Sequence, residues 1–198
     1  MLRLKLLPAS LVVAAVTFVA SYGYAAEFSA RLNGFNELGA LNNQTGAVLS
    51  NGAGTVNLRL NQAGTIDYTL TYSNVGTTPP KTGTVSQAHI HFGKSRDSGG
   101  VLVFFCTNLT FSGTGPTPPA CPKNSGTVSG TWTKANVQAI AGQNVVAGDF
   151  DALVDALASN TAYANVHTTS GTTPDTAFPA GEIRGQCRSG DREQQQDD

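Results

Sequence analysis

Charge is the first thing this chain has little of. Only 13% of its 198 residues are Asp, Glu, Lys or Arg, and they sum to a formal net charge of −1. No basic block stands out and aromatic and basic residues do not interleave, which excludes nucleic acid as a partner, because such binding needs a clear positive surface. A G-x-S-x-G nucleophile elbow is missing, and so is an Asp placed to orient a histidine. No glycine loop of the phosphate-cradling kind occurs. With these absences no catalytic residue is assigned, and a non-enzymatic role is the expectation. Long apolar runs are also lacking beyond the N-terminus, so no membrane span is expected in the mature chain.

The one long apolar run opens the sequence. Arg3 and Lys5 precede Leu6 to Ala20, a stretch interrupted only by Pro8, Ser10 and Thr17, and Gly23 and Ala25 then form a small-x-small pattern. These are the three regions of a secretory signal peptide. Cleavage is expected after Ala25, with Ala26 the close alternative, so residues 1–25 read as a leader. The run is short for a bilayer anchor, and no Cys near the cut suggests lipidation. A secreted, periplasmic or cell-surface protein is expected, with an extracellular partner of unknown identity.

The shortfall in charge is filled by Thr, Ser, Asn and 22 glycines. Thr favours strands, while Gly and Asn favour the turns between them. Period-two alternation recurs over Phe28–Leu32, Gly54–Leu60, Thr65–Tyr72, Val85–Phe92, Thr127–Thr133, Ala162–Thr168 and Glu182–Cys187, and Val101–Cys106 is continuously apolar. A long polar loop is expected over Asn33–Asn51. Helical spacing is convincing only at Phe150, Leu153, Val154, Leu157 and Ala158, with Asp149 as N-cap. A weaker helical turn is expected over Lys134–Ala141. About eight strands at this spacing predict an all-β fold, an antiparallel β-sandwich or Greek-key barrel with one short helix. The polar run over residues 188–198 reads as a disordered tail.

Of the three cysteines, Cys106 and Cys121 flank the Pro/Gly-rich stretch Gly113–Pro119. A bridge between them would close a loop of about 15 residues and contribute about 3 kcal/mol in the chain-entropy model. Pairings of either with Cys187 stay open on sequence grounds. Left over, Cys187 reads as a buried free thiol.

The three histidines all fall in strands. Residues two apart on a strand point to one face, so His89 and His91 share a face with Gln87. His167 shares one with Asn165 and Tyr163, and Glu182, Arg184 and Gln186 share a third. If these strands are neighbours, one surface gathers three imidazoles, a carboxylate and a guanidinium. Three imidazoles with an open fourth position suit Zn or Cu. The expected ligands are His89, His91 and His167, with Glu182 as fourth ligand or, like Arg184 and Asn165, as a group in the surrounding layer. The opposing reading is a solvated polar face on which His braces strands by hydrogen bonds and Glu182 pairs with Arg184. A metal-bound water acting as a hydrolase or lyase is the weakest alternative.

The blocks Ala88-His89-Ile90-His91, Gly126–Trp132, Tyr163–Thr168 and Phe178–Gln186 resemble the motifs of the chordin-type (CHRD) domain, in order, with Phe28–Leu32 as the opening strand. The resemblance spans roughly Ala26 to Cys187, so residues 26–187 are expected to be one CHRD domain of the bacterial exported kind. It implies an immunoglobulin-like or superoxide-dismutase-like β-sandwich. The H-x-H strand followed by Phe92-Gly93 is similar to the copper strand of Cu/Zn superoxide dismutases. That enzyme needs more His ligands than this chain has, plus an Asp for its zinc, so dismutase activity is not expected.

Overall fold

Where apolar and polar residues alternate strictly, the chain forms strands that bury one face. The computed structural model describes residues 26–38, 46–169 and 177–190. The leader over residues 1–25 lies outside the described residues. The strands are β1 (Glu27–Asn33), β2 (Ala53–Asn61), β3 (Thr65–Ser73), β4 (Thr84–Phe92), β5 (Val101–Thr107), β6 (Gly126–Trp132), β7 (Ala162–Thr169), β8 (Ile183–Gln186) and β9 (Arg188–Ser189), with one α-helix, α1 (Phe150–Ala158). Asp149 caps α1 by accepting the Ala152 N–H at 3.0 Å. The weaker turn expected after β6 resolves into two short 3₁₀ turns, Lys134–Asn136 and Ala141–Gln143.

All strand pairs are antiparallel and join in one sheet, ordered β5-β4-β7-β8-β1-β2-β3-β6, with β9 beside β1. Among the described residues the fold is therefore an all-β, nearly closed barrel with a single short α-helix. Its interior takes the inward side chains of every long strand, among them Leu58, Ile66, Leu70, Ile90, Phe105, Trp132, Val166 and Ile183. Leu153, Ala156 and Leu157 of α1 join the same core.

The two ends of the sheet meet through side chains. Trp132 donates its indole N–H to the Phe104 carbonyl at 2.9 Å, and the Tyr68 hydroxyl donates to the Phe105 carbonyl at 3.3 Å. Tyr68 stacks on Trp132 with ring centroids 4.3 Å apart. These contacts close the seam between β5 and β6. At the far end of β5, Cys106 and Cys121 form the disulfide, S–S 2.06 Å, and Cys187 is a buried free thiol. Burial pushes that thiol up to about 12.

Two boundaries differ from the sequence expectation. The tail was expected to start at residue 188, yet Arg188 and Ser189 form β9, paired with Ser29 and Phe28. Backbone pairing with β1 orders them, a contact that polar composition does not reveal. Residues 191–198 lie outside the described residues. At the other boundary, β8 begins at Ile183 rather than Glu182. Gly181 sits at φ 129°, and the chain bends at Glu182 before the strand starts.

Candidate metal centre

The β4–β7 register puts Gln87 opposite His167, His89 opposite Asn165 and His91 opposite Tyr163, and β7–β8 then puts Arg184 opposite Asn165 and Gln186 opposite Tyr163. Because side chains alternate, all of these residues stand on the face of the sheet turned away from the barrel interior. This face was expected to be solvated if the histidines were mere struts. It is instead covered: His89, His91 and His167 are only 2%, 9% and 7% exposed. The cover comes from the loop after β4, which brings Gly99 to His91, from the segment before β8, which brings Pro179 to His167, and from Phe104, edge-on to His89 at 4.5 Å.

One ring nitrogen from each histidine lies within 4.8 Å of the others. The hydrogen bonds assign most of the protons. His91 Nδ1 is 2.9 Å from the Gly99 carbonyl and His167 Nδ1 is 3.0 Å from the Pro179 carbonyl. A carbonyl only accepts, so both Nδ1 atoms carry the proton and both Nε2 atoms keep a lone pair. His89 Nδ1 then donates to His167 Nε2 across 3.2 Å. Among the described residues two nitrogens, His89 Nε2 and His91 Nε2, are buried without a hydrogen-bond partner. Leaving such a group unpaired costs about 1–3 kcal/mol.

The electrostatics favour neutral rings. Burial drives His91 down to about 3, helped by His167 and Arg184 and opposed by the Gly99 carbonyl. Burial likewise lowers His167 to about 4, opposed by the Pro179 carbonyl. His89 falls well below the usual histidine value through burial and the neighbouring His167 and His91. Neutral imidazole is the form that binds a metal, and a backbone carbonyl on the opposite N–H is the usual way such a ligand is oriented. A tetrahedral site with metal–nitrogen bonds of about 2.0–2.1 Å needs the nitrogens about 3.3 Å apart. The rings would have to draw together from present separations of up to 4.8 Å to reach that spacing, with His167 Nε2 released from its bond to His89.

The surrounding groups sort themselves differently from the expectation. Arg184 is buried; its Nη2 donates to the Lys94 and Asp97 carbonyls at 3.0 and 2.8 Å, and its guanidinium lies 3.4 Å over the Tyr163 ring. Tyr163 in turn stacks on His91, centroids 4.8 Å apart. Asn165 donates to the buried carboxylate of Glu37. Glu182 does not join the histidines. Its fully buried carboxylate accepts from Ser50 Oγ at 2.7 Å, from the Gly76 N–H at 2.9 Å and from Thr168 Oγ1 at 3.0 Å. Thr168 alternates with His167, so this carboxylate serves the opposite side of β7. The bend at Glu182 breaks the alternation that would have aimed it at His167, and it makes no pair with Arg184.

Glu37 was not anticipated, because a single acidic residue in a long polar loop carries no periodic signal. Gly181 is the indirect clue: a Cβ there would strike the Glu37 carboxylate and the Asn165 amide. Gly99 is similar, since a Cβ would collide with the Phe92 carbonyl, so the loop that holds His91 needs glycine.

Comparison with known proteins places this architecture in a family. The family model described as the CHRD domain matches residues 28–187, and the chain belongs to the CHRD domain family. No curated protein matches the chain. No solved structure matches it either. Among the described residues no helix is long and apolar enough to cross a membrane.

Proposed function

We propose that this is an exported CHRD-domain protein that holds one Cu or Zn ion with His89, His91 and His167. The observation that carries the reading is the pair of buried, partnerless Nε2 atoms on His89 and His91. Buried polar atoms are nearly always satisfied by a protein group, a water or an ion, and one metal ion would satisfy both nitrogens at once. The carbonyls of Gly99 and Pro179 fix the ring orientations, and the low proton affinity keeps all three imidazoles neutral at neutral pH. His167 would offer Nε2 to the ion by giving up the hydrogen bond it accepts from His89. Glu182 is not a ligand in this reading; a water or another exogenous group would complete the coordination. A bound ion would supply positive charge and Lewis acidity at a site otherwise shielded from solvent.

Elemental analysis of untagged protein tests it. About one Cu or Zn per chain after incubation and desalting, lost in the His89→Ala/His91→Ala variant, is the expected result. Absence of stoichiometric metal after incubation with each ion would overturn it. Export is tested separately: the extracytoplasmic protein should begin at Ala26.

A second reading rests on the His89–His167 hydrogen bond itself. Here the three rings brace β4 to β7 and to the loops, as part of an extracellular interaction module. Stability lost in the double variant with no response to metal in the parent protein would favour it.

A further inference from the structure

The chain has twelve basic residues, and four of them, Arg31, Arg96, Arg184 and Arg188, line one cleft of about 520 Å³. They come from separate elements: Arg31 from β1, Arg188 from β9, Arg184 from β8 and Arg96 from the loop after β4. The pairing of Ser29 with Arg188 and of Asn33 with Arg184 brings the strand residues to this place. Among the described residues, the guanidinium groups of Arg31, Arg96 and Arg188 make no hydrogen bond or ion pair. Arg184 bonds its carbonyl acceptors through Nη2. Its Nη1 and Nε are without such partners among the described residues.

Among the described residues lining the cleft, Glu37 is the one carboxylate, and it is engaged by the Asn165 amide and the Leu38 N–H. Glu37 and Asp97 offset the charge of Arg184, which leaves Arg31, Arg96 and Arg188 as like charges on the cleft that an anion would neutralise. Guanidinium matches carboxylate and phosphate oxygens in a two-point fork. The cleft volume falls in the range of small-molecule sites, and Phe35, 70% exposed, offers an apolar wall beside the polar Asn36, Ser95 and Gln186.

We propose that this cleft is a binding site for a small oxyanion carrying carboxylate or phosphate groups. The site does not depend on a metal at the histidines, since Arg96 and Arg188 touch none of them. Calorimetric titration of the full mature chain with succinate and with inorganic phosphate, in about 0.15 M salt to screen diffuse attraction, tests it. At least one probe should bind one per chain with Kd tighter than about 1 mM, corresponding to about −4 kcal/mol. The Arg96→Gln/Arg188→Gln variant should lose at least about fivefold more affinity than Arg59→Gln, which removes an exposed charge outside the cleft. The stronger of the two probes identifies the anion type. Binding of both probes weaker than about 1 mM, or a smaller difference between the two variants, would overturn the proposal.

Discussion

His89 and His167 stand on adjacent antiparallel strands with Nδ1 of the first 3.2 Å from Nε2 of the second, so His167 cannot take a proton on Nε2 without breaking that bond. Both sit under a cover of loops, and both proton affinities are depressed in the fold. The unfolded chain binds those protons more readily, with a histidine value near 6.5.

Acid should therefore weaken the protein. Below about pH 6.5 the unfolded state takes up protons that the native cluster refuses until about pH 4 for His167 and about pH 3 for His91. Stability is fully present above pH 6.5 and falls as pH drops, by about 1.4 kcal/mol per pH unit for each such proton. Urea melts of metal-free protein at several pH values between 7 and 4.5 would show the slope. Substituting His89 and His91 together should flatten it.

Glu182→Gln should destabilise the protein without changing metal content. The amide that replaces one oxygen brings a donor to a place where the Gly76 N–H, Ser50 and Thr168 all need acceptors. A loss of about 2–4 kcal/mol is expected in a denaturant melt. Unchanged Cu or Zn stoichiometry in the same variant would separate this lock from the histidine centre.

Removing the Cys106–Cys121 bridge should cost about 3 kcal/mol, as expected for a closed loop of about 15 residues. The double Ala variant, compared with parent by urea midpoint at constant m-value, measures it. Limited proteolysis should then cut within Gly113–Pro119, because that stretch has no strand of its own to hold it.

Arg184→Lys should loosen the loop over His91. Lysine cannot at once lie flat on Tyr163 and reach the Lys94 and Asp97 carbonyls as the guanidinium does. Amide exchange at Gly99 should quicken, together with a stability loss of about 1–3 kcal/mol.

The strands and the histidine face were legible because alternation records which side of a strand is buried, and alternation is local. Gln87, His89 and His91 keep their side, as do Tyr163, Asn165 and His167, and the β4–β7 register does the rest. Glu182 leaves the histidine face because the chain bends at that residue just before β8, and alternation does not foretell a bend. The burial of the face was illegible for another reason. Gly99, Pro179 and Glu37 reach it through loops whose paths are set by contacts distant in sequence, and such contacts leave no periodic trace. Arg188–Ser189 escaped notice likewise, since two polar residues become a strand only because β1 offers them an edge.

The seam between β5 and β6 has a consequence for behaviour at high concentration. A barrel that stops short of a complete backbone ladder exposes two strand edges, the places where a second chain would add a strand and begin an aggregate. Here the carbonyls of Phe104 and Phe105, which such an invader would need, are already occupied by Trp132 and Tyr68. The lone tryptophan thus doubles as a guard against self-association, and its fluorescence reports whether that guard is in place.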